Sequence, residues 1–384
     1  MDNIVEINMY NKSVLLLGGT GAIGSECVDI LKNMPVNVFV TSRCNHASFN
    51  NIYYIQGNAL DESFLKNVVT TRKWDVIIDF MIHSIEDFKK IYRLLLENTK
   101  HYIFLSSARV YTKPQGGVIR ESTPRYIDIK NRNATLTEDT YPVIKARSED
   151  ILFSSGYKNF TIIRPGTTYN YNRIDLANLR KEEWLKRVLE GKSIVISEDL
   201  LNVRFTNTFG RDVARGIISL FNNNKAMCRA YNITESHSYT WKEILDIYIQ
   251  VLRKHHIEPK IKIIKKCPLI ILKNKNEQYI NFMSWNHAFD NSAISSYLDT
   301  NKFVDARTGL AECLNKFLEN PTPQWKEINW EIEGILDCKA KEHTKLAKID
   351  GIRNKVIYIG YRLDLYPLLH LYNIIKHLLY NKEK

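Results

Sequence analysis

The chain has 384 residues, 44% of them hydrophobic, with 54 lysines and arginines against 42 acidic residues and a formal net charge of +12. That apolar content is enough for a large core, expected in two lobes, and it excludes a disordered or fibrous chain. The cations are scattered, with only short pairs such as Lys265-Lys266, so a nucleic-acid partner is not expected; a diffuse basic surface suits a small substrate that carries phosphates.

In chain order, the apolar run from Ser13 to Gly18 reads as a buried strand, followed by a helix from Ile23 to about Asn33. The pattern then predicts strands at NVFVTS (Asn37 to Ser42) and NIYYIQG, a helix from Glu62 to Thr71 and the strand DVIIDFM (Asp75 to Met81). A helix from Glu86 to about Asn98 and the strand HYIFLSS (His101 to Ser107) come next. The polar stretch Tyr111 to Asp139 reads as a long loop over a site, before a helix from Pro142 to about Ser154 and the strand NFTIIRPG. Strands alternating with helices imply a doubly wound parallel sheet, which binds ligands beyond the carboxyl ends of its strands. Further on, a helix from Glu182 to Glu190, a strand at SIVIS and a helix beginning at Trp241 suggest a second lobe.

Two local patterns carry chemistry. GGTGAIG, Gly18 to Gly24, lies between a strand and a helix, where Gly18 allows a tight turn, Gly21 lets backbone approach a pyrophosphate and Gly24 lets helix and strand pack closely. In TYPVIKARSED, Tyr141 stands one helical turn before Lys145, with Pro142 suited to a helix start. A free phenol has a pKa of about 10, and a neighbouring cation favours its ionised form.

These patterns, with GNALD (Gly57 to Asp61), SSARVY (Ser106 to Tyr111) and TIIRPGTTYN (Thr161 to Asn170), make the sequence similar to the extended short-chain dehydrogenases/reductases. It resembles their NAD-dependent epimerase/dehydratase group, which acts largely on nucleotide sugars, and the likeness runs to about residue 320. The resemblance implies a Rossmann-type α/β fold with a smaller C-terminal substrate-binding lobe, a nucleotide-sugar substrate and a homodimer. It implies Tyr141 as the acid/base, Lys145 as the residue that holds the nicotinamide ribose and favours the tyrosinate, and Ser107 as the group that orients the reacting oxygen. Cofactor contacts are implied for Gly18, Thr20, Gly21, Ala22, Ile23, Gly24, Asn58, Ala59, Phe80, Tyr141, Lys145 and Pro165. Arg204 resembles the arginine that grips the nucleotide diphosphate, although it stands one residue further from Asp212 than usual. The domains implied are 1–170 with 203–235 returning to it, 171–335 for substrate, and a helical extension at 336–384.

Some features depart from the family. Ala108-Arg109 follows Ser107, where 4,6-dehydratases carry Asp-Glu, so that reaction is disfavoured. The spacing from Ser107 to Tyr141 is long, which points to an insertion. At the end of the second strand, where an acidic residue would select NAD, stand Ser42 and Arg43, so NADP(H) is favoured over NAD(H). An epimerase and a keto-sugar reductase share all these residues; a non-catalytic dinucleotide sensor, scaffold or RNA-binding relative is the competing reading.

The start MDNIVEINMY has no secretory signal, no uninterrupted apolar run spans a bilayer, and the six cysteines show no metal spacing. A cytoplasmic protein without a metal is expected. The stretch Val356 to Tyr380 mixes Leu, Ile and Tyr with Arg, Lys and His, which suits a helix packed on its own subunit or, as the alternative, peripheral membrane contact.

Overall fold

A computed structural model of the chain describes residues 11–130, 136–320 and 325–365. These fall into two units. The first comprises the chain up to Arg173 with Arg204–Tyr239 and Trp285–Leu310; the second comprises Ile174–Val203, Thr240–Ser284 and the chain from Ala311. The stretch 285–310, expected in the substrate lobe, is thus grouped with the first unit.

A seven-stranded parallel sheet forms the first unit. Its strands are β1 (Lys12–Leu17), β2 (Val36–Ser42), β3 (Ile52–Gln56), β4 (Trp74–Asp79), β5 (Thr99–Leu105), β6 (Phe160–Pro165) and the edge strand Arg229–Ile233. From one edge to the other the order is Arg229–Ile233, β6, β5, β4, β1, β2, β3. The strand order reverses beside β1, which is where such sheets open a crevice for a ligand.

Residues alternate between the two faces of each strand, and both faces are buried. Val14, Leu16, Val38, Val40, Val76 and Ile78 face α1 (Gly24–Leu31) and the helix Gly210–Ser219 through Cys27, Val28, Val213 and Ile217. Leu15, Leu17, Ile77, Phe104 and Ile162 pack with Leu65 and Val68 of α2 (Glu62–Val69), Phe88 and Ile91 of α3 (Ile85–Glu97) and Leu152 of α4 (Tyr141–Ser154). Side chains set the helix starts. The Asp61 carboxylate accepts the Phe64 N–H at 2.7 Å, the Ser84 hydroxyl accepts that of Asp87 at 3.1 Å, and Pro142 occupies the first turn of α4.

In the second unit, strands Ser193–Ser197 and Lys260–Ile264 pair in parallel. Trp184, on the helix Lys181–Leu189, stacks on Tyr248 of the helix Trp241–Lys254 with ring centroids 4.7 Å apart. Arg187, whose side chain is 1% exposed, lies 2.8 Å from both Glu333 and Asp337, and Lys192 reaches the same carboxylates at 2.7 and 2.9 Å. The acidic partners sit on the helix Trp330–Ala340, which crosses the expected boundary at residue 335 and packs on the helix Ile352–Arg362. Of the stretch Val356 to Tyr380, only the part to Leu365 is described, and the rest lies outside the described residues. No described helix is long and apolar enough to cross a membrane.

Candidate functional site

The loop from β1 to α1 needs its glycines for separate reasons. Gly18 has a φ of 72°, and a β-carbon there would lie 2.4 Å from the Met81 sulfur. A β-carbon on Gly24 would lie 2.7 Å from the Gly19 backbone, so only glycine lets α1 start this close to β1. Gly21 would meet nothing within 4 Å. Thr20 and Gly21 form the exposed tip, Ala22 is half-buried and its carbonyl accepts the Asn170 amide at 3.2 Å, and Ile23 is buried. Exposed backbone ahead of a helix N-terminus, over a cradle that a β-carbon would fill, fits the pyrophosphate of a dinucleotide.

Beyond β2, the Ser42 hydroxyl is buried, accepts the Cys44 N–H at 3.2 Å and lies 3.1 Å from His46 Nε2. The His46 ring lies 4.8 Å from that of Tyr54, and Arg43 is exposed beside them. Asn58, also exposed, accepts the Leu60 N–H at 3.1 Å, while Ala59 is buried under β1. Phe80 is half-buried where β4 ends, and Pro165 closes β6.

Ser107 follows the end of β5, and its hydroxyl accepts the Arg109 N–H at 3.2 Å, capping the turn Ala108–Val110 on which α4 packs. Tyr141 opens α4, with the guanidinium carbon of Arg109 5.1 Å from its ring centroid. Lys145, 2% exposed, donates to the Met81 carbonyl at 2.8 Å and the Leu105 carbonyl at 2.7 Å, and its ammonium lies 4.6 Å from the Phe104 ring centroid. An ammonium has three donors, so one N–H remains for a ligand. Burial pulls Lys145 down to about 8, while the carboxylates of Asp79 and Glu149 pull it up.

Both carboxylates are fully buried and tied in. Asp79 accepts the Met81 N–H at 2.9 Å and the Tyr102 hydroxyl at 2.7 Å, and lies 2.9 Å from His83 Nε2. Burial would raise its carboxyl, but His83, Lys145 and Tyr102 hold it below the usual carboxylate range. Glu149 accepts the Ser106 hydroxyl at 2.5 Å and two Arg164 nitrogens at 2.9 and 2.6 Å, and Arg125 joins it at 3.0 Å. Ser107, Tyr141 and Lys145 thus sit on one scaffold at the carboxyl ends of β4 and β5. Arg204 belongs to another network: it is exposed, and its guanidinium donates to the Ser238 carbonyl at 3.0 Å.

Residues 14–234 match the NAD dependent epimerase/dehydratase family. The chain belongs to that family.

Solved structures agree in fold. An epimerase from Methanothermobacter thermautotrophicus is 16% identical, with a TM-score of 0.61 over 82% of this chain and 94% of its own. The dTDP-glucose 4,6-dehydratase of Bacillus anthracis, solved with NAD, gives 18%, 0.62, 80% and 97%. The UDP-glucose 4-epimerase of Bifidobacterium longum, solved with NAD+ and UDP, gives 17%, 0.60, 81% and 99%. No curated protein matches the chain by sequence.

In this epimerase/dehydratase family member, sequence reasoning missed the groups that hold Lys145 in place. Asp79 was visible as the second carboxylate of DVIIDFM, ending its apolar core, with His83 four residues on, but the Tyr102 that donates to Asp79 is 23 residues away. Glu149 lies one turn beyond Lys145, on the same helix face, and His46 lies four residues beyond Ser42.

Proposed function

We propose that the protein is a nicotinamide-dependent oxidoreductase or epimerase acting on a nucleotide-activated sugar, with Tyr141 as its acid/base. The observation that carries this is the placement of Lys145: one turn after Tyr141, buried, and hydrogen-bonded to the carbonyls where β4 and β5 end. The nucleotide-sugar class is supported by the solved epimerase and dehydratase of the same fold.

When bound, a nicotinamide dinucleotide supplies the hydride acceptor or donor. The loop Gly18 to Gly24 would hold its pyrophosphate, Asn58 and Ala59 its adenine end, and Phe80, Pro165 and Lys145 its nicotinamide end. Tyr141 takes a proton from the sugar hydroxyl as it becomes a carbonyl, or returns one in the reverse direction, because hydride loss from carbon needs that proton to move. Ser107 orients the same oxygen, and Lys145 holds the nicotinamide ribose. Arg109 stands where a 4,6-dehydratase carries a carboxylate and is a cation against the Tyr141 ring, so a dehydratase of that type is disfavoured. Arg204 is the candidate for the substrate diphosphate.

NADP(H) is the favoured cofactor, because β2 ends in Ser42 and exposed Arg43, with His46 beside them, and a 2′-phosphate suits these groups better than it would a carboxylate. The test is to release and identify any dinucleotide retained by the purified protein, then offer a panel of nucleotide sugars with NAD(H) and NADP(H). Conversion of at least one is expected; bound dinucleotide with no conversion would favour an inert scaffold.

A further inference from the structure

The helix Ile352–Arg362 has two faces of opposite kind. On one, Tyr358 and Tyr361 are buried against the helix Trp330–Ala340, where Gly334 lets the Tyr358 carbonyl stand 2.7 Å from where a β-carbon would be. The Tyr358 hydroxyl donates to Asp337 at 2.8 Å and accepts the Thr344 N–H at 2.7 Å, and Arg362 Nε donates to the Glu342 carbonyl at 3.0 Å. Asp337 is itself bound by Arg187 and Lys192. These bonds fix the helix about its own axis.

The other face carries Ile352, Val356 and, just past the helix end, Leu363, which are 81%, 50% and 52% exposed. With half-buried Ile359 they follow a spacing of four, three and four residues, which places them in one stripe. Because the helix is fixed by its tyrosines, the stripe cannot turn inward. At 100° per residue, Arg353 flanks the stripe on one side, and Lys355 and Arg362 flank it on the other. From Lys345 to Asp364 there are five cations and two carboxylates, Asp350 and Asp364, and the whole chain carries a formal net charge of +12.

An apolar stripe edged by cations on both sides matches a surface that is apolar inside and anionic outside. A second copy of the chain matches it poorly, because a twofold contact would set these cations against their own kind. We propose that this helix is a peripheral docking surface for an anionic lipid bilayer. Ile352, Val356 and Leu363 enter the acyl boundary, and Arg353 and Lys355 meet lipid phosphates.

The test uses the full chain and vesicles of phosphatidylcholine alone or mixed with phosphatidylserine. The protein should pellet with the mixed vesicles, and binding should fall at least about tenfold with neutral vesicles, at high salt, or in an Ile352→Asp/Val356→Asp variant. Both substituted positions are exposed, so the melting temperature should be unchanged; Arg353→Glu/Lys355→Glu, which leaves the stripe intact, should lose binding too. The inference is overturned if wild type stays in solution, if the first variant pellets as wild type does, or if that variant instead dissolves a dimer.

Discussion

Lys145 donates its ammonium to the Leu105 carbonyl at 2.7 Å, which ties the second turn of α4 to the last residue of β5. Burial brings this ammonium down to about 8, so its charge is lost within reach of neutral pH. The value of kcat/KM should therefore fall above about pH 8, with Lys145 as the group titrating. Asp79→Asn removes a carboxylate that favours the ammonium, and the alkaline limb should move to lower pH. Stability should move in the opposite sense to activity. Between about 8 and the ordinary lysine value the unfolded chain holds the proton that the folded one has released, so this group favours the fold increasingly as pH rises through that window. Lys145→Ala should lose both turnover and dinucleotide affinity. A pH–rate profile of wild type and Asp79→Asn checks the assignment.

The glycine loop separates folding from binding. Gly24→Ala puts a β-carbon 2.7 Å from the Gly19 backbone and should cost about 1–3 kcal/mol of stability. Gly21→Ala meets nothing within 4 Å and should leave the melting temperature unchanged or slightly higher, while dinucleotide affinity falls because the exposed backbone can no longer be approached. Thermal melting with and without dinucleotide distinguishes the two.

Cofactor choice rests on the end of β2. Wild type should bind NADPH at least roughly tenfold more tightly than NADH, about 1.4 kcal/mol, and Ser42→Asp with Arg43→Asn should reverse the order. Fluorescence titration reads both affinities. The buried Ser42 hydroxyl already serves Cys44, so Arg43 is expected to carry more of the preference than Ser42.

What the sequence made legible was local. Six of the seven sheet strands centre on short apolar runs, while the edge strand Arg229–Ile233 (RAYNI) does not and is not predicted; the glycine spacing is a property of seven adjacent residues, and Tyr141 and Lys145 are one helical turn apart. What it left hidden depends on residues far apart in the chain. The carbonyls of Met81 and Leu105 are 64 and 40 residues from Lys145, and no side-chain pattern announces a backbone acceptor. Arg187 finds Asp337 across 150 residues, and that bond is one of several that tie the stretch after residue 335 to the helix Lys181–Leu189 and the strand beyond it.

That cluster yields its own prediction. Arg187→Met leaves Glu333 and Asp337 with Lys192 as their remaining close cation among the described residues, and should destabilise the protein by about 3–5 kcal/mol, read by urea unfolding. Truncation after Glu333 removes Asp337, Glu342 and Tyr358 together and should give an insoluble or misassembled protein.

The acid/base role of Tyr141 is tested most directly by Tyr141→Phe, assayed beside wild type on whichever nucleotide sugar the panel identifies. Removing only the hydroxyl should lower turnover by roughly 100-fold or more, while dinucleotide affinity and melting temperature stay near wild type. Turnover within a few-fold of wild type would contradict the assignment of Tyr141, and with it the mechanism built on Lys145 and Ser107.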